Sequence, residues 1–414
     1  MHNPSPARTL LSINNYYYPR GGAEVVFLEQ NRMLEASGWQ VVPFAMHHPL
    51  NLPSPWSSYF VEELEFDGSY SPLAKLRRAT KVIYSREART KLRRLLDVVR
   101  PDVAHLHNIY HHISPSILSL LSQRQVPTIM TLHDLKIVCP AYKMLAPDGI
   151  CERCRGGKLG NVVRQRCIKN SLALSSLVYV EAKLHGLLNT YASNVDQFVV
   201  PSRFFREKLA SWGVPRQKLR YLPNFVEVER YRPAEQAGSY FLYFGRLAPE
   251  KGVATLIRAA ALAGVDLKIV GAGPEENSCR ALAQESGGNV QFLGYLSGSA
   301  LHDAVRGARA VVLPSEWYEN APMSVLESYA LAVPVIGADI GGIPELIRSD
   351  ETGACFPSGS PEALAVALER FARLSDSAVA TMGRAARALV QREFSGDLYQ
   401  TRLLDLYREL QVPC

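Results

Sequence analysis

Two glutamates frame a turn in the stretch "WYENAPMSVLES": Glu319 stands just before Asn320, Ala321 and Pro322, and Glu327 lies in the helical pattern that follows. Pro322 suits the first position of a helix, where its missing N–H costs nothing and its fixed φ is already helical, so the helix is expected to begin near Ala321. The unpaired N–H groups of that first turn, together with the helix dipole, form a site for an anion such as a diphosphate. Glu327 is about five residues in, roughly 7–8 Å along the axis, and reaches a different part of the same ligand. A nucleotide sugar has this layout, with sugar hydroxyls at one end, a diphosphate in the middle and a ribose diol beyond. Carboxylates accept hydrogen bonds from both sets of hydroxyls. Taken alone, the two acids read equally well as a turn cap and an ordinary exposed helical acid.

A second stretch, "YFGRLAPEKGV", ends a strand at Gly245 and starts a helix near Gly252, holding Arg246 and Lys251 at the turn. Two cations there can neutralise a departing diphosphate without a metal; taken alone they also read as surface charges beside a loop. "IVGAGPE" adds a glycine turn, in which Gly271 and Gly273 allow close backbone approach, although the full dinucleotide fingerprint is missing. No Asp-x-Asp pair occurs in the sequence, which argues against a mechanism in which paired aspartates hold a metal on the diphosphate.

These residues need strand ends to hold them. The first half reads as strand, glycine turn, helix and strand ("TLLSINN", "YYYPRGGAE", "VVFLEQNRMLEASG", "WQVVPFAM"), followed by the apolar runs "DVAHLHN", "PTIMTLHD" and "QFVVPS". After Pro223 and Asn224 the alternation starts again with "YFLYFGRL", "DLKIVGAG", "NVQFLGYL", "AVVLPSE" and "VPVIGAD". The expected fold class is α/β, with two doubly wound parallel-sheet, Rossmann-like domains facing across a cleft. The expected bounds are residues 1–223 and 224–395, with residues 396–414 a terminal helix packing back toward the first domain. Ligands in such sheets collect beyond the carboxyl ends of the strands.

The 414 residues suit two cores. The apolar run near the N-terminus is too short for a signal sequence, and no stretch approaches the roughly 20 apolar residues of a membrane span. A cytoplasmic protein is expected, at most peripheral on the inner face of a membrane. The net charge of +7 owes much to "KLRRATKVIYSREARTKLRRLLDVVR", read as one cationic helix. Its face is either simply solvated or meets an anionic membrane surface, an acidic substrate or nucleic acid. Nucleic acid is disfavoured, because no aromatic stacking platforms interleave with the charges.

Cys139, Cys151, Cys154 and Cys167 fall in one insertion at about 139–167, spaced C-x11-C-x2-C-x12-C. A C-x2-C pair with two more thiols is the ligand set of a structural zinc. Unligated thiols, an iron–sulfur cluster and a redox switch are the alternatives. Cys279, Cys355 and Cys414 are scattered and read as ordinary.

The chain resembles the retaining glycosyltransferases of family 4, which have the two-domain GT-B fold. The resemblance rests on "GGAE" (Gly21 to Glu24), "TLHD" (Thr131 to Asp134), "GRLAPEKG" (Gly245 to Gly252), "ENAPMSVLE" (Glu319 to Glu327) and "GGIPELI" (Gly341 to Ile347). It implies transfer from a nucleoside-diphosphate sugar to an acceptor hydroxyl with retained anomeric configuration, with no cofactor needed for catalysis. It also implies that Arg246 and Lys251 bind the diphosphate, Glu319 contacts the transferred sugar and Glu327 holds the ribose. His133 would orient the sugar, and Gly21 and Gly22 would let the first loop close over the phosphates and acceptor. A saccharide or lipid-linked saccharide would be the acceptor. Another GT-B activity, a nucleotide-sugar epimerase or a sugar phosphorylase, is the rival within enzymes.

Overall fold

The structure, a computed structural model, describes residues 8–64 and 72–412, the side chains of residues 72–77 excepted. It contains two six-stranded parallel sheets. The first is built from β1 (Thr9–Ile13), β2 (Gln40–Phe44), β3 (Val103–Leu106), β4 (Thr128–Thr131), β7 (Gln197–Val200) and β8 (Leu219–Tyr221), in the order β2-β1-β3-β4-β7-β8. Between its fourth and fifth strands a two-residue hairpin intervenes, β5 (Leu145–Ala146) with β6 (Gly149–Ile150). The second sheet contains β9 (Tyr240–Phe244), β10 (Leu267–Val270), β11 (Val290–Gly294), β12 (Ala308–Leu313), β13 (Val335–Ala338) and β14 (Gly353–Phe356), in the order β11-β10-β9-β12-β13-β14. Most of these strands are covered by helices on both faces, which is why β1, β3, β4 and β12 read as apolar runs and not as alternating patterns.

In each sheet the strand order reverses once, between β1 and β3 and between β9 and β12, and that reversal opens a crevice at the strand ends. The chain crosses between the sheets twice, and the crossings lie side by side: Val226 donates its N–H to the Phe394 carbonyl at 3.0 Å and pairs with Ser395. After the second crossing the helix Gly396–Glu409 lies on the first unit. There Tyr399 donates to Gln30 Oε1 at 2.7 Å, and the Tyr407 hydroxyl is 3.0 Å from His105 Nδ1. Tyr399, Leu403 and Tyr407 share one buried cluster with Leu34 and Trp39 of the first unit and Leu326 and Tyr329 of the second.

The basic stretch is two helices, Pro72–Ile83 and Arg86–Val98, and not the single one expected. Ser85 breaks it: its backbone is extended and its side chain accepts from the Ala88 N–H, so it caps the second helix. Part of the charge is also consumed internally, since Glu87 takes Lys81 at 2.8 Å and Lys91 at 3.3 Å. Arg86, Arg93, Arg94 and Arg100 remain exposed. Among the described residues no helix is long and apolar enough to cross a membrane.

Candidate active site

β9 and β12 are neighbours, so the turns that follow them meet at the crevice of the second sheet. The turn after β9 carries Gly245, Arg246 and Lys251 and packs tightly on the turn after β10. A Cβ on Gly271 would lie 1.9 Å from the Gly245 carbonyl oxygen, and one on Gly273 2.1 Å from that of Leu247. Glycine at 271 also holds φ at 133°, so any side chain there would push the Arg246 turn out of place. Across the crevice, Lys251 Nζ lies 2.6 Å from Glu319 Oε1, which also accepts from Ser315 Oγ at 2.7 Å. Glu319 is 6% exposed. Burial pushes its pKa up, but the charge and hydrogen bond of Lys251, together with further hydrogen bonds including that of Ser315, outweigh burial, and the net shift is downward. Lys251 therefore serves a carboxylate first. Arg246 is exposed and makes no side-chain ion pair or hydrogen bond among the described residues.

The helix after Glu319 runs from Met323 to Ala330. Pro322 is its N-cap, with ψ of 123°, and not its first helical residue; the helix begins two residues later than expected. An extended proline still leaves the N–H groups of Met323 and Ser324 without intrahelical partners, and no side chain caps them. Ala321 turns its carbonyl away from this end, where Asn224 Nδ2 donates to it at 2.8 Å. Asn320, expected to bind the donor, has its side chain committed elsewhere: it accepts from Ser202 Oγ at 2.8 Å and donates to the Leu132 carbonyl at 2.9 Å. It ties the second domain to the strand end that carries His133. Glu327 is the opposite case. Its carboxylate has no hydrogen bond or ion pair among the described residues, and burial raises its pKa to about 7.

From the first unit, Gly22 brings its helix end against this one, because a Cβ there would sit 3.3 Å from Met323 Cγ. Gly21 is plainly extended, with φ of −165°, and its backbone does not require glycine. His133 follows β4 and is partly exposed, with Nε2 2.8 Å from Nδ1 of the buried His107. The rings of His105, His107 and His133 stack at 4.9 and 5.1 Å. Burial holds all three neutral, with His133 lowered to about 4. A pair of imidazoles sharing one proton leaves Nδ1 as the free nitrogen of His133. Sequence reasoning missed His107, whose position two residues after His105 places both rings on one face. It also missed Asn14 and Asn108, which hydrogen-bond the buried Glu24 beside the glycine turn.

The cysteine-rich insertion reaches the same site. Lys143 Nζ pairs with Glu250 Oε1 at 2.8 Å, and Tyr318 donates to Glu152 Oε1 at 3.0 Å, so the segment touches the turns after both β9 and β12. Its four cysteines are unpaired and line one cavity of about 10 Å³. Among the described residues no three Cys, His, Asp or Glu side chains converge closely enough to hold a metal as they stand. A larger cavity, about 240 Å³, lies elsewhere in the first unit beside the buried Lys136–Glu181 pair and includes none of the residues gathered at the crevice.

Residues 20–230 match the family described as Glycosyltransferase Family 4, and residues 229–388 match Glycosyl transferases group 1. A GDP-mannose-dependent alpha-(1-6)-phosphatidylinositol monomannoside mannosyltransferase of Mycobacterium tuberculosis is 30% identical over 248 residues, which cover 54% of this chain and 64% of that protein. The amylovoran biosynthesis glycosyltransferase AmsK of Erwinia amylovora is 26% identical over 225 residues, 50% of this chain and 55% of that one. The chain thus spans under two thirds of the length of these relatives. Among solved structures, sucrose-phosphate synthase from Thermosynechococcus elongatus superposes with a TM-score of 0.71 at 20% identity, covering 97% of this chain and 99% of that one. Anabaena Alr3699/HepE, in complex with UDP and glucose, gives 0.67 at 14% identity, covering 97% and 100%. At these identities the two structures speak for the fold, which is GT-B.

Proposed function

Because the chain belongs to glycosyltransferase family 4, we propose that it moves a sugar from a nucleoside-diphosphate donor to an acceptor hydroxyl, with retention of configuration, in polysaccharide or glycolipid assembly. The observation that carries this reading is the partnerless carboxylate of Glu327, on the same open-ended helix that Glu319 and Lys251 approach from its N-terminal side. A half-buried acid without a partner is costly unless a ligand supplies one, and a ribose diol supplies two donors. The diphosphate lies at the helix end, steadied by Arg246 and Lys251, with the sugar against Glu319 and His133. As the bond to the sugar breaks, negative charge grows on the phosphate oxygen, and fixed cations already in place lower that barrier. The departing oxygen takes the acceptor proton, so no protein base is required. A thermal-shift screen against nucleoside-diphosphate sugars, followed by NMR of the product anomer, tests this. One donor is expected to raise the melting temperature and to yield a product of unchanged anomeric configuration. No stabilisation by any donor, or an inverted product, would overturn the reading.

The acceptor in this reading is a saccharide linked to lipid at the cytoplasmic membrane face. The relatives support this, one naming a phosphatidylinositol mannoside, and the exposed Arg86, Arg93, Arg94 and Arg100 support attraction to an anionic leaflet. In liposome sedimentation the protein is expected to pellet with acidic vesicles and to be released by salt. Equal partitioning into neutral and acidic vesicles counts against this placement.

A further inference from the structure

We propose that Cys139, Cys151, Cys154 and Cys167 bind one structural zinc ion, which braces the segment that crosses the cleft to the donor-side turns. This stands independently of sugar transfer. Four side chains from residues spread over 139–167 line one cavity of about 10 Å³, roughly a single water-sized sphere. None of them forms a disulfide. Neutral thiols do not draw together as metal ligands do, and among the described residues no three metal-ligating side chains stand close enough to hold an ion as they are. Four thiolates around a dication draw in to about 2.3 Å from it, so metal loading contracts the small cavity that they line.

Two further observations point the same way. Burial raises the Cys139 and Cys154 thiols, and the backbone amides of Ala141 and Met144 beside Cys139 and of Val162 beside Cys154 act against that rise. Such donors stabilise a thiolate ligand, as partners of metal ligands do. Arg153 adds a positive charge 3.6 Å from Cys151 Sγ.

The segment also has little else to hold it. Apart from cysteines, its buried apolar residues are Pro140, Ala141, Met144 and Val162. Its regular structure amounts to a two-residue hairpin and single helical turns, and Tyr142, Met144 and Arg166 adopt left-handed backbone. Strain of that kind persists where the surroundings over-determine it. Yet this stretch must hold Lys143 and Glu152 in register with Glu250 and Tyr318 on the other domain. A closed tetrathiolate site supplies the missing rigidity, and with no open coordination position it does no chemistry.

The test is elemental analysis of untagged protein purified without added metal, chelator or a metal-affinity column. About one zinc per chain is expected. Cys154→Ser should lose the zinc and Cys279→Ser should retain it. Exchange with Co²⁺ should give the visible bands of a tetrahedral tetrathiolate. Since Cys154→Ser can also fail to fold, alkylation of the wild-type protein provides a second reading. Cys139, Cys151, Cys154 and Cys167 should resist alkylation as a group and become reactive together when a chelator is added. Less than about a tenth of an equivalent of zinc, iron in its place, or independent alkylation of the four thiols would each overturn the proposal.

Discussion

Lys251→Ala is expected to lower kcat/KM by about 10²-fold or more, and Arg246→Ala to do so to a similar extent. A factor of 10² is about 2.7 kcal/mol of transition-state stabilisation, the scale expected for removing one preorganised charge from a developing oxyanion. The two variants differ in what else they disturb. Arg246 is exposed and has no side-chain partner among the described residues, so its loss should leave the unfolding free energy nearly unchanged. Lys251 holds the Glu319 carboxylate at 2.6 Å, and Glu319 is 6% exposed, so removing Lys251 also leaves a buried acid unpaired. Lys251→Ala should therefore destabilise as well as inactivate. Adding Glu319→Gln should recover much of the stability and none of the turnover. Steady-state kinetics with denaturant melts separates the two effects. Near-normal kcat/KM in both single variants would remove the proposed clamp.

Glu327→Gln has the next largest expected effect, and it carries a pH signature. The group's folded pKa, about 7, is raised from 4.5 by burial. A proton is thus bound more tightly in the folded protein, and this acid favours folding below about pH 4.5, with that contribution lost as pH rises through 7. At pH 8 the wild-type protein carries a penalty of up to about 3 kcal/mol that Glu327→Gln relieves, so the variant should melt higher. Function should move the other way. Only the ionised carboxylate accepts from both ribose hydroxyls, so the wild-type KM for the donor should climb as pH falls from 8 to 6. The variant should show a KM raised by about 10-fold or more at pH 8, consistent with losing hydrogen bonds to a charged group, and no pH dependence from this source. A variant that is no more stable at pH 8, or a donor KM unaffected by the substitution, would detach Glu327 from the ribose.

Much of this arrangement is legible in the sequence because buried parallel strands leave long apolar runs, and the polar residues that close each run are the ones that meet at the crevice. Gly245, His133 and Glu319 are visible on that basis. The omissions have local causes. β8 and β14, at the sheet edges, are short, and neither "LRY" nor "GACF" has a pattern of its own. Ser85 looks like one polar residue in a basic run until its cap is seen. Pro322 is equally at home at an N-cap and at a first helical position, and only its ψ decides between them. The partnerships are harder still. Lys251 with Glu319, His107 with His133 and Asn320 with Leu132 each join residues far apart in sequence, and nothing in either member announces the other. Asn320 is the instructive case, since its place in the motif suggests a ligand contact while its hydrogen bonds make it a tie between domains.

The adjacent crossings at Val226 and Ser395 limit how the molecule can deform. A body joined to another by one strand can swivel about any axis. Joined by two laced strands, with the terminal helix bolted to the opposite half, it retains essentially one angular freedom, a swing about the line through the lacing. Opening and shutting the crevice then changes the gap between the Gly22 turn and the Met323 helix end while leaving their lateral alignment intact, so each cycle returns the same atoms to the same opposite numbers.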